Sequence, residues 1–309
     1  MKAPTSTLRG LLVLLSGLVP GIALACSCGC GVFDVGTDSM FPSGTGVMAF
    51  AEYDSLNQDE NWRGSSRAPS GDNEDKRIDT SFMSVGVRYM FDPSWGVTVV
   101  VPYWDRYFRT TDEDSGERTT HTHSAFGDAR IVGVYSGFAT EGNTGVTFGL
   151  KLPTGDDNYH GFDADTQIGS GSTDLLLGAY HRGSLDAGGS WTWLVDGQWQ
   201  QPVAHKNAYR PGAEVDGAVG VSYRGWLLFG ADRVAPLLQL KGVYRDNDGG
   251  RQGDPDNSGY SRVILSPGLQ IDAGKVTVHM DAGIPLYTHT EGNQLVASTL
   301  WKLNVGYHF

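Results

Sequence analysis

The chain finishes on STLWKLNVGYHF, in which Thr299, Trp301, Leu303, Val305, Tyr307 and Phe309 fall on one side of an extended segment and Leu300, Lys302, Asn304, Gly306 and His308 on the other. A period of two marks a strand whose two sides meet different surroundings. Termini of soluble domains are usually polar and frayed. An alternation carried to a final phenylalanine therefore restricts the chain to folds in which the last strand is needed, with one side apolar throughout.

Eleven further period-two segments bounded by turn residues precede it. The twelve are 45–55, 80–91, 95–106, 125–139, 144–153, 173–183, 190–202, 213–225, 233–245, 259–272, 275–287 and 295–309. No stretch has a helical period, and strands of ~10 residues are long enough to cross a bilayer when tilted. Short links (DPS, TEGN, SLDAGG, GWLLFGAD, AG) alternate with long polar ones that hold most of the Asp and Glu, such as YFRTTDEDSGERTTHTHS and TGDDNYHGFDADTQIGSGS. Membrane barrels have this asymmetry between their two ends, and a soluble sandwich has no reason for it. The pattern predicts an all-β fold, a transmembrane antiparallel up-and-down β-barrel of about twelve strands over residues 45–309. Residues 51–76 would form its first outer loop and both termini would be periplasmic. The last strand must pair with the first, because lipid offers no hydrogen bonds to an open edge. Glycine, at 43 of 309 residues, is about twice its usual share and suits a tightly curved sheet.

The alternation also assigns faces. Val146, Phe148, Leu150 and Leu152 point to lipid, as do Val276, Val278, Met280, Ala282, Ile284 and Leu286. Glu52, Arg88, Asp128, Arg130, Lys151, Asp196, Asp216, Arg224, Lys241, Arg262 and Lys302 point inward, since a Lys or Arg facing lipid costs roughly 2–4 kcal/mol near the midplane. Trp95, Trp104, Tyr107, Tyr135, Trp191, Trp199, Tyr244, Tyr260, Tyr287 and Tyr307 lie near strand ends, where interfacial girdles belong.

At the N-terminus Lys2 and Arg9 precede LLVLLSGLVPGIALA, an apolar run too short to span a bilayer and ending in the small-x-small pattern of a cleavage site. Residues 1–25 read as a signal peptide and 26–44 as a cysteine-containing periplasmic segment. Loss of Lys2 and Arg9 moves the formal net charge from −12 to −14, which excludes nucleic acid as a natural partner. Cys26, Cys28 and Cys30 could hold a soft metal such as copper or zinc with the barrel as anchor. Cys26 lipidation and a tail without a special role are the other readings. His121 and His123 could bind a divalent metal or be solvated loop residues. The aspartates of GDDNYHGFDADT and DNDGGRQGDPDN read as solvated. A barrel lipid hydrolase would need a Ser and a His at the lipid boundary, with Ser298 and His279 as possible members, but no partner motif accompanies them.

FGDARIVGVYSGF (126–138), GVTFGLKLPTGD (145–156) and GSGSTDLLLGAYHRG (169–183) resemble the outer-membrane family named for the meta-pathway of phenol degradation. The likeness rests on Gly127-Asp128, on Lys151 to Asp156 with Pro153, Thr154 and Gly155, and on Gly171, Ser172 and Asp174. The final VGYHF likewise resembles the signal by which such barrels are recognised for insertion. The resemblance implies a non-enzymatic channel or transporter in the outer membrane of a Gram-negative bacterium, passing small, aromatic or hydrophobic compounds by passive diffusion without a cofactor. Glu52, Arg88, Asp128, Arg130, Lys151 and Arg262 are the expected lumen residues, with the solute and membrane lipid as partners. For an apolar solute, a strand kink at Pro102 or Pro285 offers a lateral exit.

Overall fold

The computed structural model describes Phe33, residues 35–37, Phe41, 44–112, 115–139, 141–228 and 232–309. The expected signal peptide and Cys26, Cys28 and Cys30 lie outside these residues. Among the described residues the barrel strands are β1 (Gly46–Gly64), β2 (Arg77–Met90), β3 (Trp95–Thr111), β4 (Arg130–Tyr135), β5 (Thr144–Lys151), β6 (Ser172–Ser184), β7 (Trp191–His205), β8 (Glu214–Tyr223), β9 (Asp232–Arg245), β10 (Tyr260–Ala273) and β11 (Val276–His308). Each pairs antiparallel with the next, and β11 pairs with β1 to close the ring.

The 33 residues of β11 would run about 110 Å as one straight strand, several times the thickness of a bilayer. Its first arm, 276–290, pairs with β10, and its second, from Thr290 to His308, pairs with β1. The His308 N–H reaches the Lys275 carbonyl (2.9 Å), and Gly292 takes the left-handed conformation (φ +67°) that lets the chain fold back. Two arms therefore cross the membrane, giving the twelve spans that antiparallel closure, which requires an even number, demands.

Several strands run past the expected boundaries. β1 continues to Gly64, so the outer loop expected over 51–76 begins only after it. The loop expected after Arg106 is instead a hairpin, in which residues 103–111 of β3 pair with a side strand, Arg118–Phe126. The side strand and β4 together replace the single strand expected over 125–139, with 127–129 as the interruption. Beyond the membrane rim the outward face no longer meets lipid, so segments such as DSLNQDENWRG lose their apolar alternation while the backbone ladder continues and the inward side chains Asp54, Leu56, Gln58 and Asn61 stay buried.

The outward face is a belt of exposed apolar side chains that includes Val85, Val87, Val99, Ile131, Phe148, Leu150, Val219, Leu240 and Ile284. A contiguous apolar surface of this extent needs lipid around it. Aromatic pairs gather at the short-turn end, where Trp95 and Tyr135 lie 4.6 Å apart, Trp191 and Tyr223 5.0 Å, and Tyr307 and Phe309 4.9 Å. Two residues assigned to the girdles belong elsewhere. Trp104 faces inward against Phe82 (4.5 Å), and Tyr260 is buried, donating its hydroxyl to Glu214 (3.1 Å). Aromatic side chains near strand ends also fill the lumen here, which position along a strand cannot reveal. In the closing strand Trp301, Leu303, Val305, Tyr307 and Phe309 are exposed to the belt while Leu300, Lys302 and Asn304 are buried.

Candidate functional site: an occluded lumen

The inside of the barrel is closed off by two devices. The first is the chain before β1, expected as a periplasmic tail, in which Phe33 and residues 35–37 lie buried in the lumen and Phe41 is half-buried. Phe33 packs among Leu56, Phe82, Ile264, Ala297 and Leu300, with its ring 5.9 Å from Phe82. The Gly36 N–H donates to both Asp196 carboxylate oxygens (3.2 Å each), its carbonyl accepts from Gln239, and the Phe33 carbonyl accepts from Lys302. Gly36 sits at φ +84°, and a Cβ there would meet Gln239 at 2.8 Å, so only glycine fits. Phe41 stacks on Tyr180 with ring centres 4.2 Å apart. In this strap the lumen wall replaces the hydrogen bonds that an isolated segment in an apolar tube would lack.

The second device is an inward-folded lid, residues 152–171, at the long-loop end. Phe162 and Ile168 pack on Ile78, Phe108 and Leu295. The Arg106 guanidinium donates to the carbonyls of Thr166 and Gln167 while its Nε donates to Thr80 Oγ1 (3.1 Å). The residues shared with the phenol-pathway resemblance form the root of this lid. Asp128 accepts from the Gly155 N–H (3.0 Å), the Ser170 N–H (2.9 Å) and the Ser170 hydroxyl (2.5 Å). Thr154 Oγ1 accepts from the Ala129 N–H (2.9 Å). Gly155 and Gly169 touch backbone to backbone, so a Cβ on Gly169 would lie 2.4 Å from the Gly155 carbonyl carbon. The knot sits at the gap Gly127 to Ala129 between the side strand and β4, with the Gly127 N–H on the Pro102 carbonyl (2.9 Å). Pro153, at the end of β5, contributes its carbonyl to Lys206 (2.5 Å). Asp156 holds His123 Nε2 at 2.8 Å, and the His123 ring stacks on Tyr159 at 3.9 Å. His123 therefore fastens the lid and is not a freely solvated loop residue.

Outside the spans, burial pushes the Asp163 carboxyl of the lid up to about 6. Burial, and then the charge of Asp163, raises Asp75 beside it, with a smaller push from Glu74 and opposition from the Thr110 hydroxyl and Lys76. A carboxyl that holds its proton more tightly docked than undocked favours docking in acid. The docked lid loses stability as pH rises through about 6 and regains it as pH falls towards the ordinary carboxylate range. Hydrogen exchange over residues 159–168, corrected for intrinsic rates, is expected to show stronger protection at pH 5 than at pH 7.5 in the wild type, with a smaller difference in Asp163→Asn. Equal protection at both pH values in the wild type would contradict this.

Charges in the lumen neutralise one another. Lys302 meets Glu52 (3.1 Å), Lys241 meets Asp281 (3.0 Å), which also takes His279 Nε2 (3.0 Å), and Lys151 lies 2.7 Å from Asp174 and 3.6 Å from Asp128. Between strap and lid remains a cavity of about 300 Å³, near the lower end of the ~300–1,000 Å³ typical of small-molecule sites. Glu52, Arg88, Asp128, Arg130 and Lys151 border it, together with Phe41, Phe50, Val100, Val134, Leu176 and Tyr180. Arg262 is buried elsewhere in the wall, its guanidinium 4.3 Å over the Tyr260 ring.

The remaining sequence candidates are not brought together. His279 is buried in the lumen and Ser298 is exposed, so the two do not form a hydrolase pair. Among the described residues no three His, Cys, Asp or Glu side chains cluster as metal ligands. Asp248, in a loop read as solvated, is buried and accepts from Tyr209 (2.8 Å), the Gly212 N–H (2.8 Å) and Arg245 (2.6 Å). The strap contacts go beyond the sequence candidates, although Phe33 and Val35, alternating in GVFDVGT, carry the same period-two signal in miniature.

No family model and no curated protein matches the chain. Solved structures share its fold. The COG4313 outer membrane channel from Pseudomonas putida F1 superposes with a TM-score of 0.64 at 14% identity, over 89% of this chain and 100% of that one. The β domain of the Bordetella autotransporter BrkA gives 0.51 at 12% identity, over 86% and 100%. The chain has the fold of an outer-membrane β-barrel.

Proposed function

We propose that the chain is a gated outer-membrane channel that passes small, aromatic or hydrophobic compounds by diffusion. The observation that carries the reading is the cavity itself, enclosed between the N-terminal strap and an inward lid, bordered by Phe41, Phe50, Val100, Val134, Leu176 and Tyr180 and by ion pairs that leave little net field. The fold shared with a channel from P. putida supports it, as does the resemblance of the lid root to the phenol-pathway family. In this reading residues 1–25 are an export signal, the strap and the short-turn end face the periplasm, and the lid faces outward. The interruption at Pro102 and Gly127–Ala129, where the β3–β4 ladder ends at Val100, favours exit of apolar solutes through the wall over passage through the strap.

Intact Gram-negative cells provide the test, because their lipopolysaccharide leaflet slows apolar solutes. Cells producing the chain are expected to take up a labelled small phenol several-fold faster than cells without it, with no gain for a disaccharide. Equal gains for both would indicate a general pore, and no gain for the phenol would contradict the proposal.

A further inference from the structure

Arg88 departs from the pattern of neutralised charges. Its Nε donates to Thr98 Oγ1 (3.0 Å), yet Nη1 is covered from solvent without a hydrogen-bond partner, and no carboxylate pairs with the guanidinium among the described residues. The groups that act on it electrostatically are the Arg182 guanidinium and the Tyr180 phenol, and neither carries negative charge at neutral pH. A buried cation left unpaired is costly. The lumen lysines Lys151, Lys241 and Lys302 each have a carboxylate within 3.1 Å, whereas Arg88 has none among the described residues.

The same corner holds a side chain that does not belong to the wall. The Phe41 ring, carried in by the strap, lies on Tyr180 and packs against Met90, Val134 and Tyr180. An aromatic seat and a guanidinium without a carboxylate partner among the described residues thus border one cavity, with the seat filled by a residue of the N-terminal segment. Guanidinium is planar and matches a carboxylate through paired hydrogen bonds.

Resting on the channel reading above, we propose that this corner is a binding site for small aryl carboxylates, whose ring takes the place of Phe41 and whose carboxylate pairs with Arg88. Binding and seating of the strap are then competitive. The anion that neutralises Arg88 also frees the segment that closes the lumen, so solute and gate are coupled through one pocket.

Calorimetric titration of the full-length mature protein in detergent, with phenylacetate and its neutral analogue phenylacetamide, tests this. Phenylacetate is expected to bind at least tenfold more tightly than the amide, Arg88→Gln to abolish that preference, and Arg88→Lys to retain part of it. Phe41→Ala is expected to tighten phenylacetate binding several-fold by removing the competing ring, a gain that misfolding cannot mimic. Equal affinity for acid and amide, an affinity unmoved by Arg88→Gln, or no binding even in Phe41→Ala would overturn the site. Conductance of the chain without residues 26–44 separates the two ideas. A conducting truncated chain with no acid preference leaves the channel and removes the site, whereas selective binding by a protein whose truncated form is silent does the reverse.

Discussion

Asp128→Ala is expected to cost on the order of 4 kcal/mol of stability and to release the lid. The carboxylate satisfies two backbone N–H groups and a hydroxyl at the knot and stands 3.6 Å from Lys151. Each buried donor left without a partner costs ~1–3 kcal/mol. Gly155 and Gly169 press their backbones together, so no side chain is free to move in and replace it, and the interruption at 127–129 removes the ladder bonds that would otherwise hold the strand. Asp128→Asn keeps one acceptor oxygen and should lose about half as much. Unfolding in denaturant from detergent micelles reads the stability. Limited proteolysis reads the lid, with cleavage expected within residues 152–171 in Asp128→Ala while the strands stay protected. A variant as stable and as protected as the wild type would mean that the apolar contacts of Phe162 and Ile168 hold the lid unaided.

The barrel was legible because lipid imposes a strict rule on the sequence. Residues such as Phe148, Leu150, Val305 and Tyr307 had to alternate with polar or small neighbours, and the ring had to close between β1 and the second arm of β11. Legibility stopped where that rule stopped. The strand ends in DENWRG and ERTTHTH carry polar residues on both faces, so nothing in their polarity distinguishes ladder from loop. Among the lumen residues, the alternation told which charges point inward, but partners such as Asp174 for Lys151 or Asp281 for Lys241 depend on barrel register. The lid root was visible as the Gly127-Asp128 and Lys151-to-Asp156 motifs, whereas its role, closing a break in the wall, follows only from the pairing of β3 with two successive partners. The strap was hardest to read. Its anchors are backbone groups of Phe33 and Gly36, and a main-chain carbonyl has no sequence signature.

The strap also carries the largest functional effect expected of this protein. Four polar contacts, the burial of Phe33 and Val35 and the stacking of Phe41 on Tyr180 hold it across the lumen, and its removal leaves Asp196, Gln239 and Lys302 facing open space without disturbing the ladder between β1 and β11. The wall left behind is a twelve-span barrel, wider than the eight-stranded kind that side chains alone fill. Single-channel conductance in a planar bilayer, compared between the mature protein and the chain beginning at residue 45, is the most direct measurement. The mature protein should show small or rare steps, and the shortened chain steps at least several-fold larger or more frequent. Identical conductance in the two proteins, or silence in both, would contradict a lumen gated by its own N-terminal segment.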